Sequence, residues 1–129
     1  MCIFCGIARG EVDAFVIYES DKVMAFLDIR PLSKGHTLVI PKEHYENLLE
    51  LPEEIAGEIL KAIKVVCEKL RRLNAEGFNV VTNVGEVAGQ EVMHAHVHVI
   101  PRYSKEEKAV SFGKPIECDL KEVYEKLRA

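Results

Sequence analysis

The sequence has no excess of basic residues and no long apolar segment. Lys and Arg number 17 against 21 Asp and Glu, which gives a formal net charge of -4 at pH 7. Nucleic-acid binding without sequence preference relies on a general positive field, so we expect no stable nucleic-acid binding. No apolar run approaches the roughly 20 residues of a membrane-spanning helix, and we therefore expect no membrane association.

The N-terminal segment also lacks the basic start and apolar core of a secretory signal. This absence predicts a cytoplasmic protein, in which the four cysteines are not expected to form disulfides. The closely spaced Cys2 and Cys5 indicate metal or redox chemistry instead. Cys67 and Cys118 stand alone and are predicted to be structural.

The chain of 129 residues is long enough for one compact core and too short for two ordinary domains. No repeat or linker divides it, so we predict a single domain over residues 1–129. One long helix is predicted at about 53–73, where Ile55, Ile59 and Ile63 recur at helical spacing and Asn74 and Gly77 supply the stop. Shorter helices are predicted at 4–9, around 43–49 and at 120–127.

Five short segments rich in β-forming residues predict strands. They are residues 15–18, 23–27, 37–40, 78–82 and 95–100. The long helix between the third and fourth strands must cross over one face of a sheet. The predicted fold class is therefore α+β, with a mostly antiparallel five-stranded sheet and helices on one face.

Three of the five histidines alternate along the fifth predicted strand, at His94, His96 and His98. Alternate residues of a strand share a face, so this pattern predicts a row of imidazoles. Each ring brings two nitrogens that need partners, which makes a purely structural role harder to sustain for three than for one. Two chemistries remain open: a three-histidine metal site with a bound water, or a nucleophilic imidazole assisted by its neighbours.

A glycine-containing loop over residues 83–91 precedes this row. Its backbone amides could cradle a phosphate, although strand connections often contain glycine for turn geometry alone. Beside the histidine row, the phosphate reading gains weight.

The sequence resembles the histidine triad (HIT) family of nucleotide hydrolases and transferases, in particular prokaryotic-type members with an N-terminal Cys-x-x-Cys. The resemblance extends to about residue 102 and leaves 103–129 as a C-terminal tail. It is carried by Gly89-Gln90 with residues 94–102, by residues 26–31 and 35–42, and by Ile3-Phe4-Cys5 with Ile7.

The resemblance implies a five-stranded antiparallel sheet with one long helix, whose sheets pair in a homodimer. It also implies that His96 attacks the α-phosphate and becomes a nucleotidyl-histidine, which water then hydrolyses. His98 would lie against the phosphate oxygens, with His36 and His94 in support. Asn83, Gly89 and Gln90 would hold the phosphate and the bridging atom.

The same resemblance places a purine nucleotide against the start of the chain. Asp28 would accept hydrogen bonds from the ribose hydroxyls, although a turn Asp before Pro31 is a common alternative. The sequence departs from the eukaryotic branches at Glu91, where they carry Ser or Thr against the leaving group; Glu91 either substitutes as an acid or faces solvent. The residues expected to line an apolar slot for the base are Ile3, Phe4, Ile7, Phe26, Leu27 and Ile29.

Cys2 and Cys5 have the spacing that lets two thiolates reach one tetrahedral metal. Histidine partners are available at His44 and His94, and several similar proteins carry a structural zinc on two Cys and two His. We therefore predict structural Zn²⁺ on Cys2, Cys5, His44 and His94, with no metal needed for the chemical step.

The predicted activity is hydrolysis of adenosine phosphoramidate-type substrates. A rival within the same family is the hydrolysis of dinucleoside polyphosphates. A rival of another class is a nucleotide-binding regulatory protein with little turnover, against which the intact histidine set argues.

Overall fold

The computed structural model describes residues 2–107 and 109–128. Its five strands form one antiparallel sheet in the order β1-β2-β3-β5-β4. The strands are β1 (Val16–Glu19), β2 (Val23–Leu27), β3 (Thr37–Pro41), β4 (Gly77–Val81) and β5 (Val97–Arg102). The α-helices are α1 (Ile3–Ala8), α2 (Glu53–Leu70) and α3 (Leu120–Leu127). The predicted α+β class with five antiparallel strands and one long helix is confirmed.

Helix α2 covers one face of the sheet. Its buried stripe includes Ile59, Ala62 and Val66, which belong to the same core cluster as Val23 and Val39 of the sheet. The helix begins after Pro52, continues as a short 3-10 turn at Arg71–Leu73 and ends at Asn74, which adopts φ 72°. Asn74 is thus the predicted stop, whereas Gly77 already begins β4.

Helix α1 lies on the opposite face, so the prediction that the helices share one face is wrong. Phe4 and Ile7 of α1 pack with Met24 and Phe26 of β2, the residues that alternate with those facing α2. Strand alternation therefore gives each face its own helix. The α1 face also carries His98, which is paired with Leu38 across β3 and β5.

The helix predicted around residues 43–49 is also wrong. Only a 3-10 turn at Leu48–Glu50 forms there, capped by the side chain of Asn47. The carbonyl groups of Tyr45 and Glu46 instead accept hydrogen bonds from Ala95 and Gln90, which are distant in sequence. These tertiary bonds hold the segment in a non-helical conformation.

Strand β5 begins at Val97, two residues later than predicted. Just before it, the Ala95 N–H donates to the Tyr45 carbonyl at 2.6 Å, and the Thr82 hydroxyl donates to the His96 carbonyl at 2.8 Å. His94 and His96 therefore precede the strand and only His98 lies within it. Among the described residues, no helix is both long and apolar enough to cross a bilayer.

Candidate active site and metal centre

The ring of His96 is fixed by one backbone hydrogen bond. Its Nδ1 lies 2.7 Å from the carbonyl oxygen of His94. Since a carbonyl only accepts, Nδ1 must carry the proton, and the lone pair of the neutral ring is then on Nε2. The ring is 9% exposed and packs edge-on against Phe4 at a centroid distance of 5.2 Å. The geometry presents an oriented imidazole whose neutral form has its lone pair on Nε2, as a nucleophile requires.

A second hydrogen-bond chain orients His98. The backbone N–H of Leu32 donates to Nδ1 of His36 at 3.0 Å, so the proton of the neutral His36 ring is on Nε2. This Nε2 lies 2.9 Å from Nδ1 of His98. His98 accepts there and carries its own proton on Nε2, and its ring centroid is 5.1 Å from that of His96. A hydrogen-bond donor therefore stands beside the candidate nucleophile.

Both supporting imidazoles are held neutral. Burial lowers the pKa of His98 to about 4, and the neighbouring His96 and His36 act in the same direction. Burial also lowers the pKa of His36, partly opposed by the carboxylate of Asp28. Because both rings are neutral at pH 7, the donors and acceptors assigned above to the hydrogen bonds from Leu32 through His36 to His98 hold at that pH.

Asp28 directly follows β2, and the sequence allowed it either a ribose contact or a role in the turn before Pro31. One carboxylate oxygen accepts the Arg30 N–H at 2.8 Å, which is a turn contact, and the other lies 3.7 Å from Nε2 of His36. The side chain is 19% exposed at the edge of the histidine cluster. The turn contact leaves the second oxygen directed towards the site.

The loop before the histidines is shaped by two glycines in the left-handed region, Gly85 at φ 92° and Gly89 at φ 100°. Asn83 donates through Nδ2 to the Gly89 carbonyl at 3.4 Å and is half-buried. Gln90 is 3% exposed, and its amide is engaged with backbone atoms rather than directed to the solvent. Glu91 is largely exposed and lies 4.0 Å from Arg30.

The residues predicted to line the base slot differ in their burial. Phe4, Ile7 and Phe26 are buried together, and Leu27 is half-buried at the end of β2. Ile3 and Ile29 are 54% and 87% exposed. Ile3 and Ile29 adjoin in sequence Phe4 and Asp28, which contact the histidines, and their exposed side chains offer surface that a flat apolar ligand could cover.

The four predicted metal ligands converge at the N-terminal end of α1. Their donor atoms, from Cys2, Cys5, His44 and His94, all lie within 4.8 Å of one another. Nδ1 of His94 is 3.3 Å from Sγ of Cys2, and Nδ1 of His44 is 3.4 Å from Sγ of Cys5. Two sulfurs and two imidazole nitrogens are a donor set suited to tetrahedral Zn²⁺.

The surroundings of His94 fit a metal ligand. The ring is fully buried, and its Nε2 lies 2.9 Å from the carbonyl of Pro41, which places the proton on Nε2 and leaves the Nδ1 lone pair facing the cysteines. Burial raises the pKa of the Cys5 thiol, and a bound divalent cation favours its deprotonation. The residues present therefore fit the predicted group.

The sequence also left open a metal site on His94, His96 and His98. Within residues 2–107 and 109–128, the side chains that converge as a possible metal site are the Cys2 cluster and the set Asp28, His36 and His98. His94, His96 and His98 do not form such a set in this part of the chain. The geometry supports the reading in which His96 is free to react.

Several contacts of the site could not be read from the sequence. The orienting groups are backbone atoms: the N–H of Leu32 and the carbonyl oxygens of Pro41, Tyr45 and Glu46. Every residue has such atoms, so no residue type signals them. The Arg30–Glu91 pair was also missed, because its members are far apart in sequence.

Comparison with known proteins agrees with this geometry. The family model described as the HIT domain matches residues 9–105. An uncharacterised HIT-like protein of Methanocaldococcus jannaschii is 48% identical over 99% of both chains. An adenosine 5'-monophosphoramidase of Candida albicans is 36% identical over 98% of this chain and 89% of its own. The crystal structure of a Zn-bound histidine triad family protein from Mycobacterium smegmatis superimposes with a TM-score of 0.78 at 38% identity, covering 89% of this chain and 84% of the other.

Proposed function

This chain belongs to the HIT family, and from that premise we propose that it hydrolyses nucleotides at the α-phosphate through a covalent intermediate on His96. The observation that carries the proposal is the hydrogen bond from Nδ1 of His96 to the His94 carbonyl, which leaves Nε2 as the reactive nitrogen. Nε2 attacks phosphorus, a P–N bond forms, and the bond to the leaving group breaks. The leaving group departs with its electron pair and takes a proton from solvent.

In the second step, water attacks the same phosphorus and the P–N bond of the intermediate breaks. The water loses a proton to solvent, and the imidazole of His96 returns to its neutral form. His98 donates from Nε2 to a non-bridging oxygen, where negative charge increases in both transition states. His36 keeps this donor in place through its 2.9 Å contact with His98.

For the substrate, we propose an adenosine phosphoramidate. The Candida albicans relative is named an adenosine 5'-monophosphoramidase. This name supports the phosphoramidate over the dinucleoside polyphosphate.

The nucleotide would lie with its phosphate at His96 and its ribose at the carboxylate oxygen of Asp28 that does not accept from Arg30. Asn83 and Gly89 would contact the phosphate and the bridging atom from the loop. Apolar residues around Phe4 and Ile29 would cover the purine. The remaining members of this proposed slot are Ile3, Ile7, Phe26 and Leu27.

For the metal, we propose one structural Zn²⁺ held by Cys2, Cys5, His44 and His94. The ion would join α1 to the segments after β3 and before β5, and the proposed reaction has no step at it. The Zn-bound relative from Mycobacterium smegmatis supports this choice.

For the assembly, we propose a homodimer. Strand β4 is at an edge of the sheet, and Val80 within it is 50% exposed. An edge strand with exposed apolar side chains is a ready surface for pairing with another strand.

The central experiment compares the parent with His96→Asn on adenosine 5'-phosphoramidate and on a diadenosine polyphosphate. Reaction mixtures are quenched during turnover and examined by mass spectrometry for an adenylyl group on the protein. We expect the parent to carry the group on His96 and the variant to lose turnover by roughly a thousandfold or more. Lys64→Gln, at an exposed position of α2 on the other face of the sheet, serves as a control; equal activity in His96→Asn would refute the assignment.

A further inference from the structure

The amide of Gln90 is enclosed by backbone groups of three segments. Its Oε1 accepts the Gly85 N–H at 2.9 Å, while its Nε2 donates to the Glu46 carbonyl at 2.6 Å and to the Val92 carbonyl at 3.0 Å. The residue is 3% exposed. Its position beside the candidate phosphate loop suggests ligand contact from sequence, but the structure gives each of its polar atoms a protein partner.

The segment held by Gln90 also carries a metal ligand. Within three consecutive residues, His44 places Nδ1 among the cysteines, Tyr45 accepts the Ala95 N–H at 2.6 Å, and Glu46 accepts from Gln90. Ala95 directly precedes His96. Residues 44–46 therefore contact the cysteines of the metal cluster, the backbone of Ala95 just before His96, and the side chain of Gln90.

We infer that Gln90 is a positioning residue that joins the phosphate-binding loop to the metal-ligand segment 44–46. The inference rests on the proposed function, since it assigns the loop to the phosphate of the nucleotide. The Gln90 side chain binds Gly85 within the loop and Glu46 outside it. One buried amide thereby fixes the position of the loop relative to the metal-ligand segment.

The physical argument is the cost of leaving part-buried backbone groups without a hydrogen bond. Replacing Gln90 with an apolar residue removes the partner of the Gly85 N–H and of the Glu46 and Val92 carbonyl groups. We expect the loop to become more mobile around Gly85 and Gly89, the two glycines with positive φ. The side chains proposed to cover the purine lie mainly on α1 and β2, and Val92, whose carbonyl accepts from Gln90, also packs against them. We therefore expect the contacts to adenosine to change less than the contacts to the phosphate.

Two variants separate the contacts of Gln90. Gln90→Met has a similar length and loses all of them, whereas Gln90→Glu retains an acceptor for Gly85 but loses the donor to Glu46 and Val92. Dissociation constants for AMP and for adenosine are measured by calorimetry on the metal-loaded protein, with Lys64→Gln, at an exposed position of α2 on the other face of the sheet, as the control. We expect both Gln90 variants to weaken AMP by roughly tenfold or more, because each loses at least one hydrogen bond, and to weaken adenosine less.

A second measurement tests the link to the metal. Zn²⁺ release to a chromophoric chelator is followed for the same proteins, and we expect faster release from both Gln90 variants than from the parent or Lys64→Gln. Coupling between two sites is reciprocal, so AMP should slow the release of Zn²⁺ from the parent and not from Gln90→Met.

The outcomes distinguish this inference from the proposed function. If the parent binds neither AMP nor adenosine, the proposed function fails. If the parent prefers AMP and the variants keep that preference, or release Zn²⁺ at the parent rate, only the positioning role is overturned. Should neither variant fold, amide exchange over residues 83–92 of the parent is measured before and after Zn²⁺ removal; unchanged exchange overturns the role.

Discussion

Nε2 of His36 lies 2.9 Å from Nδ1 of His98, and the direction of this hydrogen bond is fixed from outside the pair. The Leu32 N–H occupies Nδ1 of His36, so His36 donates and His98 accepts. One backbone amide thus determines which nitrogen of His98 carries its proton.

The first prediction concerns this tautomer. His36→Phe removes the donor and frees His98 to populate both neutral tautomers, so we expect kcat to fall by roughly 5- to 100-fold, the scale of a lost buried hydrogen bond. Nitrogen NMR of His98 reports the tautomer directly. His36→Gln, whose amide can still donate, should recover part of the loss. A single, unchanged His98 tautomer in His36→Phe would show that His36 does not fix the tautomer of His98.

The second prediction concerns acid stability. Burial lowers the pKa of His98 to about 4 from its usual 6.5, so the unfolded chain takes up this proton at higher pH than the folded protein. The free energy of unfolding keeps its full value above about pH 6.5 and falls as the pH drops towards 4. The lowered pKa of His36 acts in the same direction.

Urea unfolding of the parent and of His98→Gln is measured between pH 7 and pH 4.5. Other groups titrate in both proteins, so the difference between the two curves gives the contribution of His98. We expect a shallower loss of stability in the variant. Parallel curves for the two proteins would show that His98 does not contribute.

The third prediction concerns the metal. Cys5→Ser replaces one of the proposed thiolate ligands, so we expect it to lower the Zn²⁺ content below one per chain and to lower the Tm. The folded fraction should still form the adduct on His96, since the proposed mechanism has no step at the ion. Cys118→Ser, at an exposed position, is the matched control, and elemental analysis with thermal unfolding provides the measurement.

The fourth prediction concerns Glu91. Its side chain is 83% exposed and lies 4.0 Å from Arg30, an arrangement of an exposed ion pair and not of a buried acid. We expect Glu91→Gln to change kcat on the phosphoramidate by no more than about threefold, whereas loss of a general acid costs about 100-fold or more. A large decrease confined to substrates with poor leaving groups would identify Glu91 as the proton donor.

The fifth prediction concerns the edge strand. If β4 pairs with a second copy, Val80→Lys places a charge in the interface and should shift the sedimenting species from twice the mass of one chain towards the single chain. Phe15→Lys, at an exposed apolar position next to β1 at the other edge, should leave the mass unchanged. A parent that sediments as a single chain would refute the homodimer.

Side-chain pattern predicted most of the fold because it reports which groups must leave water. The spacing of Ile55, Ile59 and Ile63 located α2, and the alternating histidines located the approach to β5. The segment 43–49 was missed because its conformation depends on bonds to Ala95 and Gln90, which lie 44 or more residues away. Local preferences carry no record of such partners.

The candidate site shows the same boundary. The metal cluster was predictable from residue types with known ligand chemistry, since Cys2, Cys5, His44 and His94 do converge. The placement of Gln90 was not, because a glutamine beside a glycine loop serves a ligand or the backbone equally well. Burial decides between these roles, and burial is a property of the whole fold.

The carbonyl of His94 has a consequence for how this site can change in evolution. Residue 94 places its ring among the cysteines and its main-chain carbonyl against the ring of His96. A substitution deletes only the ring, so a descendant could lose the proposed metal site and still present an aligned Nε2 at His96, provided that its backbone follows the same path. The proposed metal site and the orientation of His96 can thus be inherited separately, although both depend on a single position.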